Sequence, residues 1–80
     1  MSIIFSSINK KINYSLVCKN TDTIHKIEEQ LYMVYPNLCE VENYFLCNGQ
    51  LINKFQTFET NNIKNGDTIF INNNSSYGVF

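Results

Sequence analysis

One helix-period apolar stripe, flanked on both sides by strand-period runs, most limits what this chain can fold into. Ile24, Ile27, Leu31 and Val34 recur at spacings of three, four and three, which lines them up on one side of a helix. Thr23 is placed to cap it, because its hydroxyl can accept an orphan backbone N–H of the first turn. Lys26, Glu28, Glu29 and Gln30 are expected mainly on the solvated side. Pro36 disfavours a helical Tyr35, so the helix should stop near Val34 or Tyr35 after about three turns.

Ahead of the helix, Met1, Ile3 and Phe5 alternate with Ser2, Ile4 and Ser6, the pattern of a strand with one buried face. Asn9-Lys10-Lys11 breaks the run, and Tyr14, Leu16 and Cys18 resume it on a second strand. So short a break predicts an antiparallel hairpin. After the helix, residues 43–48 read as a third strand, with Phe45 and Cys47 inward and Tyr44 and Leu46 outward. Asn48-Gly49 signals a turn into a short fourth strand at Leu51-Ile52. A polar segment then runs to Asp67, anchored by Phe55, Phe58 and Ile63. Asn65-Gly66-Asp67 turns into a last strand, Thr68 to Asn72, with Ile69 and Ile71 inward and Phe70 outward. The reading is α+β: a mixed sheet of four to five strands on one helix, in the order ββαββ. Residues 1–72 form the domain and residues 73–80 a flexible polar tail.

Eighty residues allow one domain, and a chain this short buries only about 60–65% of its unfolded surface. Nearly every strong apolar position is therefore needed for the core. The formal charge is −1, and six Lys with no Arg, scattered along the chain, make no basic stripe for phosphate binding. Cys18, Cys39 and Cys47 are an odd count without zinc-ligand spacing, which points to a reducing compartment and to neither disulfides nor a metal. No apolar run is long enough to span a membrane. Asp22 and His25 could be combined with a cysteine as a nucleophilic set, but polar residues are expected at a helix start and no oxyanion-forming glycine turn accompanies them. No catalytic, cofactor-binding or metal-binding residue is expected.

Several short motifs resemble the ubiquitin family, whose fold is the β-grasp. Thr21-Asp22-Thr23-Ile24 is similar to its Ser/Thr-Asp-Thr-Ile helix start. Tyr44-Phe45-Leu46-Cys47-Asn48-Gly49-Gln50-Leu51 resembles its strand–turn–strand core. Thr57-Phe58 with Asn61-Asn62-Ile63 resembles the Thr-Leu-x-x-Tyr-Asn-Ile before its last strand, and Asp67-Thr68-Ile69-Phe70-Ile71 its Ser-Thr-Leu-His-Leu. The resemblance covers residues 3–72, and the order and spacing of the motifs carry it.

It implies a non-enzymatic domain that docks proteins through an apolar patch on the sheet face. The positions carried over are Ile8 and Leu46, with Phe70 replacing the family's His beside them and Asn72 standing where a third apolar residue is usual. Strand alternation independently puts Leu46 and Phe70 on the face away from the helix. Tyr44 and Gln50, with Gly49 between Leu46 and Gln50, form the rim, and Tyr44 and Gln50 stand where ubiquitin carries basic residues. The implied partners are ubiquitin-pathway receptors or proteasome subunits, met by a cytoplasmic or nuclear monomer. Two other settings are compatible: a modifier conjugated after trimming at Gly78, although Tyr77 departs from the family's Gly-Gly, or a regulatory domain of a larger protease or deubiquitinase.

Overall fold

The computed structural model describes residues 1–7 and 10–73. The elements are β1 (Ser2–Ser6), β2 (Asn13–Val17), α1 (Ile24–Val34), a 3-10 turn (Pro36–Glu40), β3 (Asn43–Cys47), β4 (Gln50–Leu51) and β5 (Thr68–Asn73). The five strands form one mixed sheet in the order β2-β1-β5-β3-β4, and α1 packs on one face of it. With the short fourth strand counted, the order is ββαβββ, within the four to five strands expected from sequence and compatible with a β-grasp. β5 includes Asn73, the residue at which the tail was expected to begin. The rest of that tail lies outside the described residues.

The register follows the sequence periods. β1 and β2 pair antiparallel with Phe5 opposite Tyr14, while β1 and β5 pair parallel with Phe5 opposite Ile69. Consecutive side chains alternate between faces, so Ile3, Phe5, Phe45, Ile69 and Ile71 all point at the helix and are fully buried. Ile24, Ile27 and Leu31 meet them from above. Each such side chain contributes roughly 1.5–3 kcal/mol by leaving water. Phe5 and Phe45 also touch edge to face at 5.7 Å between ring centres.

Helix α1 begins where Thr23 Oγ1 accepts the Lys26 N–H at 3.2 Å. The His25 N–H donates to the Lys54 carbonyl at 2.7 Å, so a second first-turn donor is satisfied by the loop after β4. That loop is stitched to the helix start: the Phe58 N–H donates to the Asp22 carbonyl and the Glu59 N–H to the Asn20 carbonyl, both at 3.0 Å. The helix stops at Val34, ahead of Pro36, as expected.

Four expectations are corrected. Val34 is exposed, and Leu38 from the 3-10 turn is buried instead, so the helix stripe ends at Leu31. Phe55 is not an anchor: it is 67% exposed, whereas Phe58 and Ile63 are buried. The fourth strand covers Gln50–Leu51 instead of Leu51-Ile52: Leu51 faces solvent, and Ile52 follows the strand into the core, its N–H donating to the Phe45 carbonyl. Glu28 is buried rather than solvated, because the loop after β4 brings Lys54 over it.

Candidate protein-interaction surface

The sheet face away from α1 carries a group of apolar residues that the core does not use, while Met33, Val34 and Phe55 are exposed on the helix and the loop after β4. Leu46 in β3 lies directly opposite Phe70 in β5 on one side and Leu51 in β4 on the other. Side chains of directly opposed residues share a face with Cβ atoms roughly 4.5–5.5 Å apart. Phe70, Leu46 and Leu51 therefore form one continuous row across three strands. Phe70 is 42% and Leu51 69% exposed, with Leu46 half-buried between them. Tyr44, opposite Asn72, lies one step along the same face and is half-buried. Ile8 lies outside the described residues.

The hairpin between β3 and β4 decides which residues join this row. Asn48 and Gly49 both have positive φ (52° and 77°), the pairing of a two-residue type I′ turn. Such a turn forces Cys47 opposite Gln50 and Leu46 opposite Leu51. Gln50 thus shares a side with inward Cys47 and does not continue the patch, contrary to its expected place on the rim. Leu51 takes that place. The signal was present in the sequence: counting outward from Asn48-Gly49 pairs Leu46 with Leu51. Gly49 is exposed at the tip of the turn.

A second group of polar side chains sits on the helix side. The Glu28 side chain is only 2% exposed, and its Oε2 lies 3.3 Å from Lys54 Nζ and accepts the Tyr32 hydroxyl. Its Oε1 lies 3.2 Å from His25 Nδ1. Asn43 Nδ2 lies 3.3 Å from the Tyr32 oxygen and donates to the Leu38 and Val41 carbonyls, while its Oδ1 has no partner. Phe55 lies over this cluster, 5.1 Å from the His25 ring centre and 5.7 Å from Lys54 Nζ. The group is a buried carboxylate held by surrounding donors, an arrangement that ties the helix to the loop after β4.

Burial, with the hydrogen bond to Glu28 second, pushes the Tyr32 hydroxyl up to about 12. The folded value then lies above the ordinary tyrosine value of 10.0. Tyr32 contributes stability that is complete below pH 10 and is lost as pH rises toward 12. In an ultraviolet titration of tyrosinate, Tyr32→Phe should remove the most alkaline step. If the last step survives in that variant, it belongs to another tyrosine.

The cysteines and the helix-start residues do not converge. Asp22 pairs with Lys26 at 3.2 Å and accepts the Lys19 N–H at 3.0 Å; these hydrogen bonds, the backbone one foremost, hold its carboxyl below the usual range. Burial pushes the Cys18 and Cys47 thiols up, so both stay protonated and weakly nucleophilic near neutral pH. Cys39 is exposed and its thiol contacts the Pro36 carbonyl. Among the described residues, no group of three His, Cys, Asp or Glu could hold a metal ion. Among them too, no helix is long and apolar enough to cross a membrane.

Comparison with protein-family models finds no match, and a search of curated proteins finds no significant match.

Proposed function

We propose that this chain is a ubiquitin-like β-grasp domain, without enzymatic activity of its own, that docks proteins of the ubiquitin and proteasome pathway through the outer face of its sheet. The observation that carries the reading is the row Phe70–Leu46–Leu51, exposed on a β2-β1-β5-β3-β4 sheet whose other face is filled by the helix. A partner that covers this row removes apolar surface from water at roughly 25 cal/mol per Å². Tyr44 and Asn72, which flank the row on the same face, are neutral, so receptors with acidic rims gain no steering from them. Partners with apolar docking elements are favoured over strongly acidic ones. The setting is cytoplasmic or nuclear.

The test is a titration of the isotopically labelled chain with a panel of ubiquitin-receptor domains, followed amide by amide. Shifts should centre on Tyr44, Leu46, Leu51 and Phe70. Leu46→Ala and Phe70→Ala should each weaken binding at least about tenfold, as residues at the centre of a contact do. Each should cost about 1 kcal/mol or less of stability, because neither side chain is fully buried. Shifts confined to the helix side, or no shifts with any receptor, would sink the reading.

A further inference from the structure

Two Asn-Gly pairs stand in turns beside strands, and the fold holds them in opposite ways. Glycine has no side chain to shield its nitrogen, so that nitrogen can close on the carboxamide carbon of the preceding Asn. Asn65-Gly66, ahead of β5, is clamped by the first residue of β1. The Ser2 N–H donates to Asn65 Oδ1 at 2.7 Å, and the Gly66 N–H donates to the Ser2 carbonyl at 2.8 Å. Both reacting groups are thereby occupied. The turn around them is closed by the Asp67 N–H on the Lys64 carbonyl at 3.0 Å and the Lys64 N–H on Asp67 Oδ2 at 2.9 Å. Asn48-Gly49 instead lies exposed at the tip of the β3–β4 hairpin. Among the described residues, no hydrogen bond reaches the Asn48 carboxamide or the Gly49 N–H. The hairpin is held by two ladder pairs at the edge of the sheet, Leu46–Leu51 and Cys47–Gln50. An edge element with so few contacts opens locally at low cost.

From this contrast we infer that Asn48 is a site of spontaneous deamidation and isomerisation, and that Ser2 shields Asn65 from the same reaction. When the hairpin opens, the Gly49 nitrogen attacks the side-chain carbonyl carbon of Asn48, Cγ. A new N–Cγ bond forms and the Cγ–Nδ2 bond breaks. The side-chain nitrogen leaves as ammonia, taking the proton from the Gly49 nitrogen, and a five-membered cyclic imide remains. Water then adds to one of the two imide carbonyls. Breaking the new N–Cγ bond restores the ordinary backbone, with aspartate at position 48. Breaking the bond from the nitrogen to the main-chain carbonyl carbon leaves isoaspartate, whose backbone runs through Cβ and Cγ and is one carbon longer. The net exchange is water for ammonia.

The two products act differently on the hairpin. Asp-Gly favours the same type I′ turn as Asn-Gly, so aspartate keeps Leu46 opposite Leu51 and adds one negative charge at the tip. Isoaspartate puts an extra backbone carbon into a two-residue turn, and the register that sets Leu51 beside Leu46 is lost. Two members of the row Phe70–Leu46–Leu51 lie on this hairpin, so isomerisation dismantles one side of that surface. The reaction itself depends on the turn alone and not on the docking reading.

Ageing the full chain at neutral pH and mapping its peptides by mass spectrometry tests the inference. In the folded chain Asn48 should react at least about tenfold faster than Asn65, the weight of the two bonds to Ser2 that must break first. In concentrated guanidinium chloride, where neither turn persists, the two rates should converge. Amide hydrogen exchange gives an independent reading: the Gly66 N–H should exchange slowly and the Gly49 N–H fast. Equal rates at the two Asn in the folded chain overturn the inference. So does an Asn48 that stays intact when folded and reacts only when denatured, or a ratio that is the same in both states. Nuclear Overhauser contacts between Leu46 and Leu51 should survive in Asn48→Asp and vanish in the purified isoaspartate fraction. Their survival in that fraction sinks the claimed loss of register. Receptor titration of the fresh chain tests docking and these rates test the turn, so either can fail alone.

Discussion

Phe58→Ala is expected to lower stability by about 3–5 kcal/mol, the range for removing a fully buried aromatic ring. Phe58 is 0% exposed, its N–H donates to the Asp22 carbonyl, and its own carbonyl accepts the Ile63 N–H at 2.9 Å. It is the peg that holds the polar segment between β4 and β5 against the core. A domain of this size is stable by only about 4–12 kcal/mol in total, so the variant should be partly unfolded at physiological temperature. Its melting midpoint should fall by roughly 15–30 °C, at several degrees per kcal/mol. Phe55→Ala, three residues earlier, is the contrast: Phe55 is 67% exposed and should cost about 0.5–1 kcal/mol through its contacts with His25 and Lys54. Denaturant unfolding of the two variants side by side decides the matter. Equal losses would mean that the loop is seated differently from the structure described.

The second large effect concerns Glu28. Glu28→Ala leaves Lys54, the Tyr32 hydroxyl and His25 without their acceptor and should cost about 2–3 kcal/mol. The upper range for breaking a buried ion pair does not apply, because the Lys54 side chain is 25% exposed and can turn its ammonium to water. Glu28→Met with Lys54→Met should recover part of the loss, since two apolar side chains can replace a buried pair at little cost. A double-mutant cycle should return a coupling of about 1–2 kcal/mol, as residues in one hydrogen-bonded network do. Strictly additive single variants would show that the helix and the loop after β4 are not joined through this pair.

Some of this was legible because it is encoded within single elements. Thr23 and Pro36 bound the helix on chemistry that acts over a few residues, and the helix runs between them. Ile3, Phe5, Phe45, Ile69 and Ile71 alternate strictly, and all five are buried. The outward positions of Leu46 and Phe70 follow from the same alternation. The outward position of Leu51 is legible too, because a two-residue turn at Asn48-Gly49 sets Leu51 opposite Leu46. For Glu28 the period was ambiguous: it lies four residues after Ile24 and three before Leu31, at the border of the apolar stripe. Its carboxylate argued for water; its position allowed burial.

What the sequence determined by itself was the helix with both its ends and the alternation of the main strands, because periodicity and capping are local; the 3-10 turn Pro36–Glu40 and the bounds of β4 it did not specify. Tertiary structure decided what each side met. The parallel pairing of β1 with β5 joins the two ends of the chain, and no local pattern specifies it. Phe55 and Phe58 have the same chemistry and nearly the same position, and only the path of the loop after β4 sends one to water and the other to the core. Lys54 reaches Glu28 across 26 residues of chain for the same reason. The joining of Phe70, Leu46 and Leu51 into one row likewise required three strands in register. A side chain's own period fixes its direction; its burial depends on which distant segment the fold brings against it.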